Sequence, residues 1–291
     1  MVGVLLALAC ALCWAAGSVS MKDLSRKLDP FTLNAPRSLI AGVSLLVLAA
    51  STGRTSGIRD LTPQALFLMV GSMAVGGGLG DSLYILSMAR IGISRAYPIA
   101  GTYPAFTLLM AVLFLHEAIT PAIVAGMVLV VVGVMFISRP TTVEDRTVSE
   151  GVRRMGTALA ILAAACWAVA SIMLSPAVQG VDPILVSSIR LPALALIFWG
   201  LVGVRGSAVT LRGLSRNEWL NMVFGGLVGW GLGSLLFVAA IAQLGATRTS
   251  ILTSTSPLFA IPMTVMFMNE KPSRSVLFGT VVTVAGVALV S

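Results

Sequence analysis

Apolar runs follow one another along this 291-residue chain with only short polar breaks between them. Each has about the 17–25 residues that a helix needs to cross a bilayer. Ten such runs are expected, at 3–21, 31–50, 64–88, 95–115, 121–138, 156–174, 184–204, 218–242, 248–268 and 274–290. A soluble core has no room for so many, and only 10% of the residues are charged, against about a quarter in a soluble domain. The fold class this predicts is an all-α polytopic membrane protein. The net charge of +8 does not point to nucleic acid. Lys and Arg lie mostly between the apolar runs, where anionic lipid headgroups are their natural partners. The first run starts at Met1 with no basic segment and no small-residue cleavage pattern, so it is expected to stay as a membrane helix.

Local signals mark several boundaries. Asp29-Pro30 and Asp182-Pro183 supply a cap and a first-turn proline before the second and seventh helices. Pro63, Pro121 and Pro272 sit where other helices begin. The one long polar stretch, around 139–155, holds Glu144, Asp145 and Glu150 and reads as a linker. The expected organisation is a five-helix unit at 1–138, the linker at 139–155, and a second five-helix unit at 156–291.

Those two units repeat each other. "CWAAGS" at 13–18 returns as "CWAVAS" at 166–171, an offset of 166 − 13 = 153. The same offset pairs Asp29-Pro30 with Asp182-Pro183, Arg37 with Arg190, "GLG" at 78–80 with 231–233, Gly92 with Gly245, Arg95 with Arg248, and Thr102 with Thr255. It continues through Pro104 and Pro257, Glu117 and Glu270, Gly126 and Gly279, and Gly133 and Gly286, without a gap. Self-similarity at a fixed offset is the signature of a repeat architecture. Five is odd, so the second unit must enter the membrane from the opposite face. The expectation is an inverted repeat about an axis in the membrane plane, an arrangement suited to alternating access.

With these motifs in place the chain resembles the drug/metabolite transporter superfamily, of the EamA type. The resemblance rests on the Cys-Trp-small-small pattern of helix one, the early arginines of helices two and seven, the glutamates closing helices four and nine, and the five-plus-five count. It implies a secondary transporter of small metabolites, often an exporter. Its central cavity would be lined by helices one to four and six to nine, with helices five and ten peripheral. Relatives usually keep both termini inside.

The loop charges argue for the other orientation. With the N-terminal side called A, its loops hold Arg54, Arg59 and Arg248. Side B holds Lys22, Arg26, Lys27, Arg90, Arg139, Arg146, Arg153, Arg154, Arg205, Arg212, Arg216, Lys271 and Arg274. The positive-inside rule makes side B cytoplasmic and places both termini outside the cytoplasmic membrane.

Counting from the helix ends puts Trp14, Arg37, Asp81 and Thr102 at one depth, about 10 Å from side B at 1.5 Å per residue. The repeat puts Trp167, Arg190, Ser234 and Thr255 in a matching layer near side A. The symmetry fails where Asp81 answers to Ser234. A charge at a helix centre costs about 2.5–3.5 kcal/mol on insertion scales, so it marks function or pairing. Asp81 is the candidate for titrating a proton or contacting a cation, held by Arg37, and Arg190 is then free for an anionic group such as a substrate carboxylate. The competing reading has both arginines bonding backbone carbonyls or snorkelling, and holding helices together.

Tyr84, one turn from Asp81, shares its face. Trp14, Trp167, Tyr97, Tyr103 and Trp230 are candidates for an aromatic lining, or for packing. Ser18 and Ser171 lie one turn beyond the tryptophans, and Ser254, Thr255 and Ser256 form a hydroxyl patch whose groups can also bond their own helix. Pro104 and Pro257 read as mid-helix kinks, gating or static. Glu117 and Glu270 read as ties from helix ends to loops. Cys10, Cys13 and Cys166 have no metal-ligand spacing and read as apolar fillers. His116 is the single histidine, and no nucleophile–base pair, metal cluster or cofactor fingerprint is legible, which disfavours an enzyme. The partners expected are a small-molecule substrate, membrane lipid, and a proton or counter-substrate, in a monomer or dimer. A flippase for lipids or lipid-linked compounds and a channel-like facilitator are the alternatives within this architecture.

Overall fold

The computed structural model describes residues 1–21, 24–137, 149–268 and 274–291, and among them no strand occurs. Glu270, Lys22, Arg139, Arg146, Lys271, Pro272 and the side chains of Arg26 and Tyr97 lie outside the described residues. The helices are α1 (Val2–Met21), α2 (Pro30–Ser51), α3 (Pro63–Ile91), α4 (Ile93–Ala100, resuming as Tyr103–Leu115), α5 (Pro121–Ile137), α6 (Glu150–Ala177) and α7 (Pro183–Arg205). The next continuous run, Arg216–Thr253, turns sharply at Gly245, where φ is 79° and ψ 177°. It therefore contributes α8 (216–244) and the start of α9 (246–253), which resumes as Ser256–Met268. α10 is Arg274–Val290.

By length and composition, six of these helical runs can cross a membrane, and three shorter apolar helices accompany them. Among the described residues the ten expected helices appear as α1 to α10, and the breaks within them explain why fewer runs are long enough on their own. α8 and α9 follow each other across the turn at Gly245, α4 is interrupted at 101–102, and α5 and α10 are short, at 17 residues each.

The sequence sets the helix starts through side-chain caps. Asp29 accepts hydrogen bonds from the amides of Phe31 (3.0 Å) and Thr32 (3.2 Å) ahead of α2. Asp182 does the same for Ile184 (2.9 Å) and Leu185 (3.3 Å) ahead of α7. Thr62 caps α3, and Ser215 forms a reciprocal capping box with Glu218 ahead of α8. Such caps are worth about 1 kcal/mol each. The pairs are separated by the repeat offset, and so are the 3₁₀ turns Arg54–Asp60 and Ser207–Gly213.

Contacts between the halves show how the two units run relative to each other. An ion pair joins Arg54, just beyond the end of α2, to Asp182, just before α7. Another joins Lys27, before α2, to Glu218 at the start of α8, at 2.5 Å. α2 has 22 residues, about 33 Å at 1.5 Å each. Asp29 and Asp182 are equivalent in the repeat yet sit at opposite ends of that helix. The two units therefore run antiparallel.

Packing repeats in the same reciprocal way. α5 meets α10 through glycines spaced seven apart: a Cβ on Gly126 would lie 2.8 Å from the Gly286 carbonyl oxygen, and one on Gly133 2.7 Å from that of Gly279. Backbones this close exploit dispersion, which drives helix association where water does not. α2 packs on α7 around a core of Leu45, Leu191, Leu194, Phe198 and Trp230. α1 packs on α8 and α9, and α6 on α3 and α4.

Candidate functional site

α3 and α8 widen into π-helical turns at their glycine runs, Ala74–Gly80 and Gly225–Leu232. Such turns break the regular hydrogen-bond ladder and often stand at functional places. Each widened stretch receives a tryptophan from the other half. A Cβ on Gly80 would lie 2.9 Å from the Trp167 ring, and one on Gly233 2.7 Å from the Trp14 ring. Only glycine admits the indole this closely.

Beyond the glycine the two clasps diverge. Next to Gly80 stands Asp81, whose Oδ1 accepts a hydrogen bond from Trp167 Nε1 at 2.8 Å. Next to Gly233 stands Ser234, and Trp14 stacks instead on Phe237, with ring centroids 5.3 Å apart. Around Trp167 the Tyr84 ring lies at 5.4 Å and the Tyr103 ring at 5.9 Å, edge-on. Tyr103 donates from its hydroxyl to the Ser250 carbonyl at 2.8 Å, with Thr253 Oγ1 at 2.7 Å. The result is an aromatic floor around one carboxylate, built from α3, α4, α6 and α9.

This arrangement corrects two expectations. Asp81 is held by the Trp167 indole, and among the described residues Arg37 stands beyond ion-pair distance, acting on the carboxylate only through its field. The two depth layers also meet, because Trp167 from one reaches Asp81 in the other. Arg37 donates from Nη1 to Asn34 Oδ1 at 2.9 Å, and its guanidinium lies over the Trp230 ring at 5.5 Å. Arg190 is 3% exposed, and its Nε and Nη1 are enclosed with no hydrogen-bond partner. Asn34, one turn before Arg37, was not singled out in the sequence. The repeat could have flagged it, since its counterpart is Ser187 (34 + 153 = 187).

The other candidates divide between the floor and the helix backbone. Thr102 and Thr255 each donate to a carbonyl three residues back, at 2.7 and 2.6 Å, where α4 and α9 break. Ser254 donates to Ile251 O in the same way and Ser171 to Trp167 O. Ser234 is buried and Ser18 exposed. Pro104 and Pro257 are not mid-helix kinks. Each stands second in the segment after a break, at Tyr103–Leu115 and Ser256–Met268, where a missing amide hydrogen leaves no bond unmade. The bends come from the breaks themselves.

Glu117 is a tie of a specific kind. Its carboxylate accepts from the amides of Ala246 (2.9 Å) and Thr247 (3.3 Å), the first free N–H groups of α9. It caps a helix of the other half, where the dipole favours an anion.

A family model for EamA-like transporters matches residues 1–139 and 154–291. The chain belongs to the EamA-like transporter family. An uncharacterized transporter of Archaeoglobus fulgidus is 27% identical over 290 residues, covering 99% of this chain and 98% of the relative. A WAT1-related chloroplastic protein of Arabidopsis thaliana is 24% identical, covering 96% of this chain and 66% of that protein. A solved crystal structure superimposes with a TM-score of 0.80 at 17% identity, covering 99% of this chain and 95% of the other. That last likeness speaks for the fold alone.

Proposed function

We propose that this EamA-like transporter is a secondary carrier of a small polar or amphipathic metabolite, such as an amino acid. It works by alternating access across the cytoplasmic membrane, in the direction of export. The observation that carries the reading is the reciprocal clasp of Trp14 on Gly233 and Trp167 on Gly80. Two antiparallel units that grip each other through the same residues can exchange conformations, so closure at one end accompanies opening at the other. Asp81, present in one clasp and replaced by Ser234 in the other, supplies the carboxylate for a proton or a substrate ammonium. Loop charge supports a cytoplasmic side B with both termini outside.

Counterflow in proteoliposomes tests the carrier. Unlabelled compound loaded inside should accelerate uptake of the same labelled compound, with saturation. Flux that ignores the trans side makes the protein a facilitator. One observation favours a lipid flippase as second reading: an apolar groove follows the seam of α2 and α7, lined by Leu39, Val43, Leu46, Pro192, Leu196 and Trp199. Movement of a fluorescent lipid between leaflets, with no counterflow of solutes, would favour it.

A further inference from the structure

Arg37 and Arg190 are equivalent in the repeat and both enclose an unbonded Nε, yet only Arg37 is given partners, at Nη1 and over a ring face. The positions answering to Asn34 and Trp230, which hold Arg37, are Ser187 and Gly77 (34 + 153 = 187; 230 − 153 = 77). A serine hydroxyl one turn before the arginine does not reach it, and Ser187 Oγ is itself enclosed without a partner. A glycine offers no ring face. Among the described residues no carboxylate lies within 4 Å of Arg190, and its Nε and Nη1 are enclosed and unbonded at 3% exposure. A charge held this way is unfavourable unless something arrives to satisfy it. A residue that served only to tie helices would keep the partners Arg37 has.

We infer that Arg190, with the Ser187 hydroxyl one turn before it, forms the anion-binding half of the substrate site and takes the carboxylate of a small organic acid. The guanidinium fork matches a carboxylate through two parallel N–H donors, and Ser187 adds a third. Leu194, one turn beyond Arg190, packs against Gly77 and Gly78 of α3, and Asp81 lies one turn further along α3. Arg190 and the aromatic floor are thus about two turns, roughly 11 Å, apart along the helices. The class this selects has a carboxylate at one end and an apolar or aromatic body reaching toward Trp167. The inference rests on the carrier reading, since a group this enclosed meets a solute only when the halves move.

Thermal unfolding of the purified full chain in detergent tests it, with acetate, butyrate and benzoate as probes and their amides as uncharged controls. A carboxylate should raise the Tm of the wild type and its amide should not. Arg190→Gln should raise the Tm without ligand, because it removes an unsatisfied charge, and should abolish the carboxylate response. Ser187→Asn, which restores the partner Arg37 enjoys, should also raise the Tm and weaken carboxylate binding about tenfold, the range of one charged hydrogen bond. Arg59→Gln, in the exposed 3₁₀ turn after α2, should change neither. Phosphatidylglycerol should act equally on wild type and Arg190→Gln. The inference is overturned if no carboxylate outperforms its amide, if Arg190→Gln responds like the wild type, or if Ser187→Asn lowers the Tm and leaves binding intact. It is equally overturned if the lipid effect alone depends on Arg190. Counterflow separates the two readings. Saturable counterflow of an uncharged or cationic solute with no carboxylate response sinks the anion site and keeps the carrier. Arg190-dependent binding without counterflow does the reverse.

Discussion

Asp81 is held by a single indole N–H at 2.8 Å, and that bond separates two contributions that mutation usually confounds. Trp167→Phe keeps most of the ring contacts but leaves a carboxylate oxygen without its donor. The desolvation of a half-buried charged acceptor is then uncompensated, and stability should fall by about 1–3 kcal/mol. Asp81→Asn keeps an acceptor oxygen for the indole while removing the charge. Its Tm should stay close to that of the wild type. If Asp81 serves the transport cycle, counterflow by Asp81→Asn should nonetheless fall at least tenfold. A loss of Tm equal to that of Trp167→Phe would make the carboxylate a packing element instead.

At the scale of the element, the turn from α8 into α9 depends on Gly245 and Glu117 together. Gly245 has a positive φ with extended ψ, a conformation nearly confined to glycine. A Cβ there would also lie 2.7 Å from Glu117 Oε1. Gly245→Ala should therefore cost both backbone strain and the cap, and destabilise more than Glu117→Ala, for which loss of the cap alone is worth about 1–2 kcal/mol. Glu117→Gln retains one acceptor oxygen and should fall between wild type and Glu117→Ala. Chemical denaturation in detergent gives the order, and equal losses for the two alanines would remove the strain argument. This turn also shows where the sequence is legible. Asp29-Pro30 and Asp182-Pro183 act through neighbouring backbone, so local spacing reveals them, whereas Glu117 caps a helix of the other half. The bond from Trp167 to Asp81 does not act locally. An offset of 153 says which residues are equivalent and is silent on which half touches which. Depth counted from helix ends also drifts wherever the ladder widens, at Ala74–Gly80 and Gly225–Leu232, or breaks, at 101–102 and 254–255. The same breaks turn Pro104 and Pro257 from mid-helix kinks into first-turn residues.

For the whole molecule, the two interhalf ion pairs set the test of insertion. Each is exposed enough to add little stability, so their value lies in what they locate. Lys27 with Glu218 marks one end of the bundle, and Arg54 with Asp182 the other. The first end gathers Arg90, Arg153, Arg154, Arg205, Arg212 and Arg274 as well, while the second has Arg59 and Arg248. Cytoplasmic loops collect Lys and Arg because translocating them is disfavoured, so the first end should face the cytoplasm. Exposed Ser25 and Gln179 stand beside the caps Asp29 and Asp182 without being the caps. Cysteines placed there, in a chain with Cys10, Cys13 and Cys166 replaced, report the two ends while leaving α2 and α7 capped. A membrane-impermeant maleimide should label Gln179→Cys in intact cells, and Ser25→Cys only after permeabilisation. The opposite pattern keeps the antiparallel units and reverses the orientation. Labelling of both positions from one side would place equivalent residues on the same face, and two units inserted alike cannot exchange inward and outward states in the way the carrier requires.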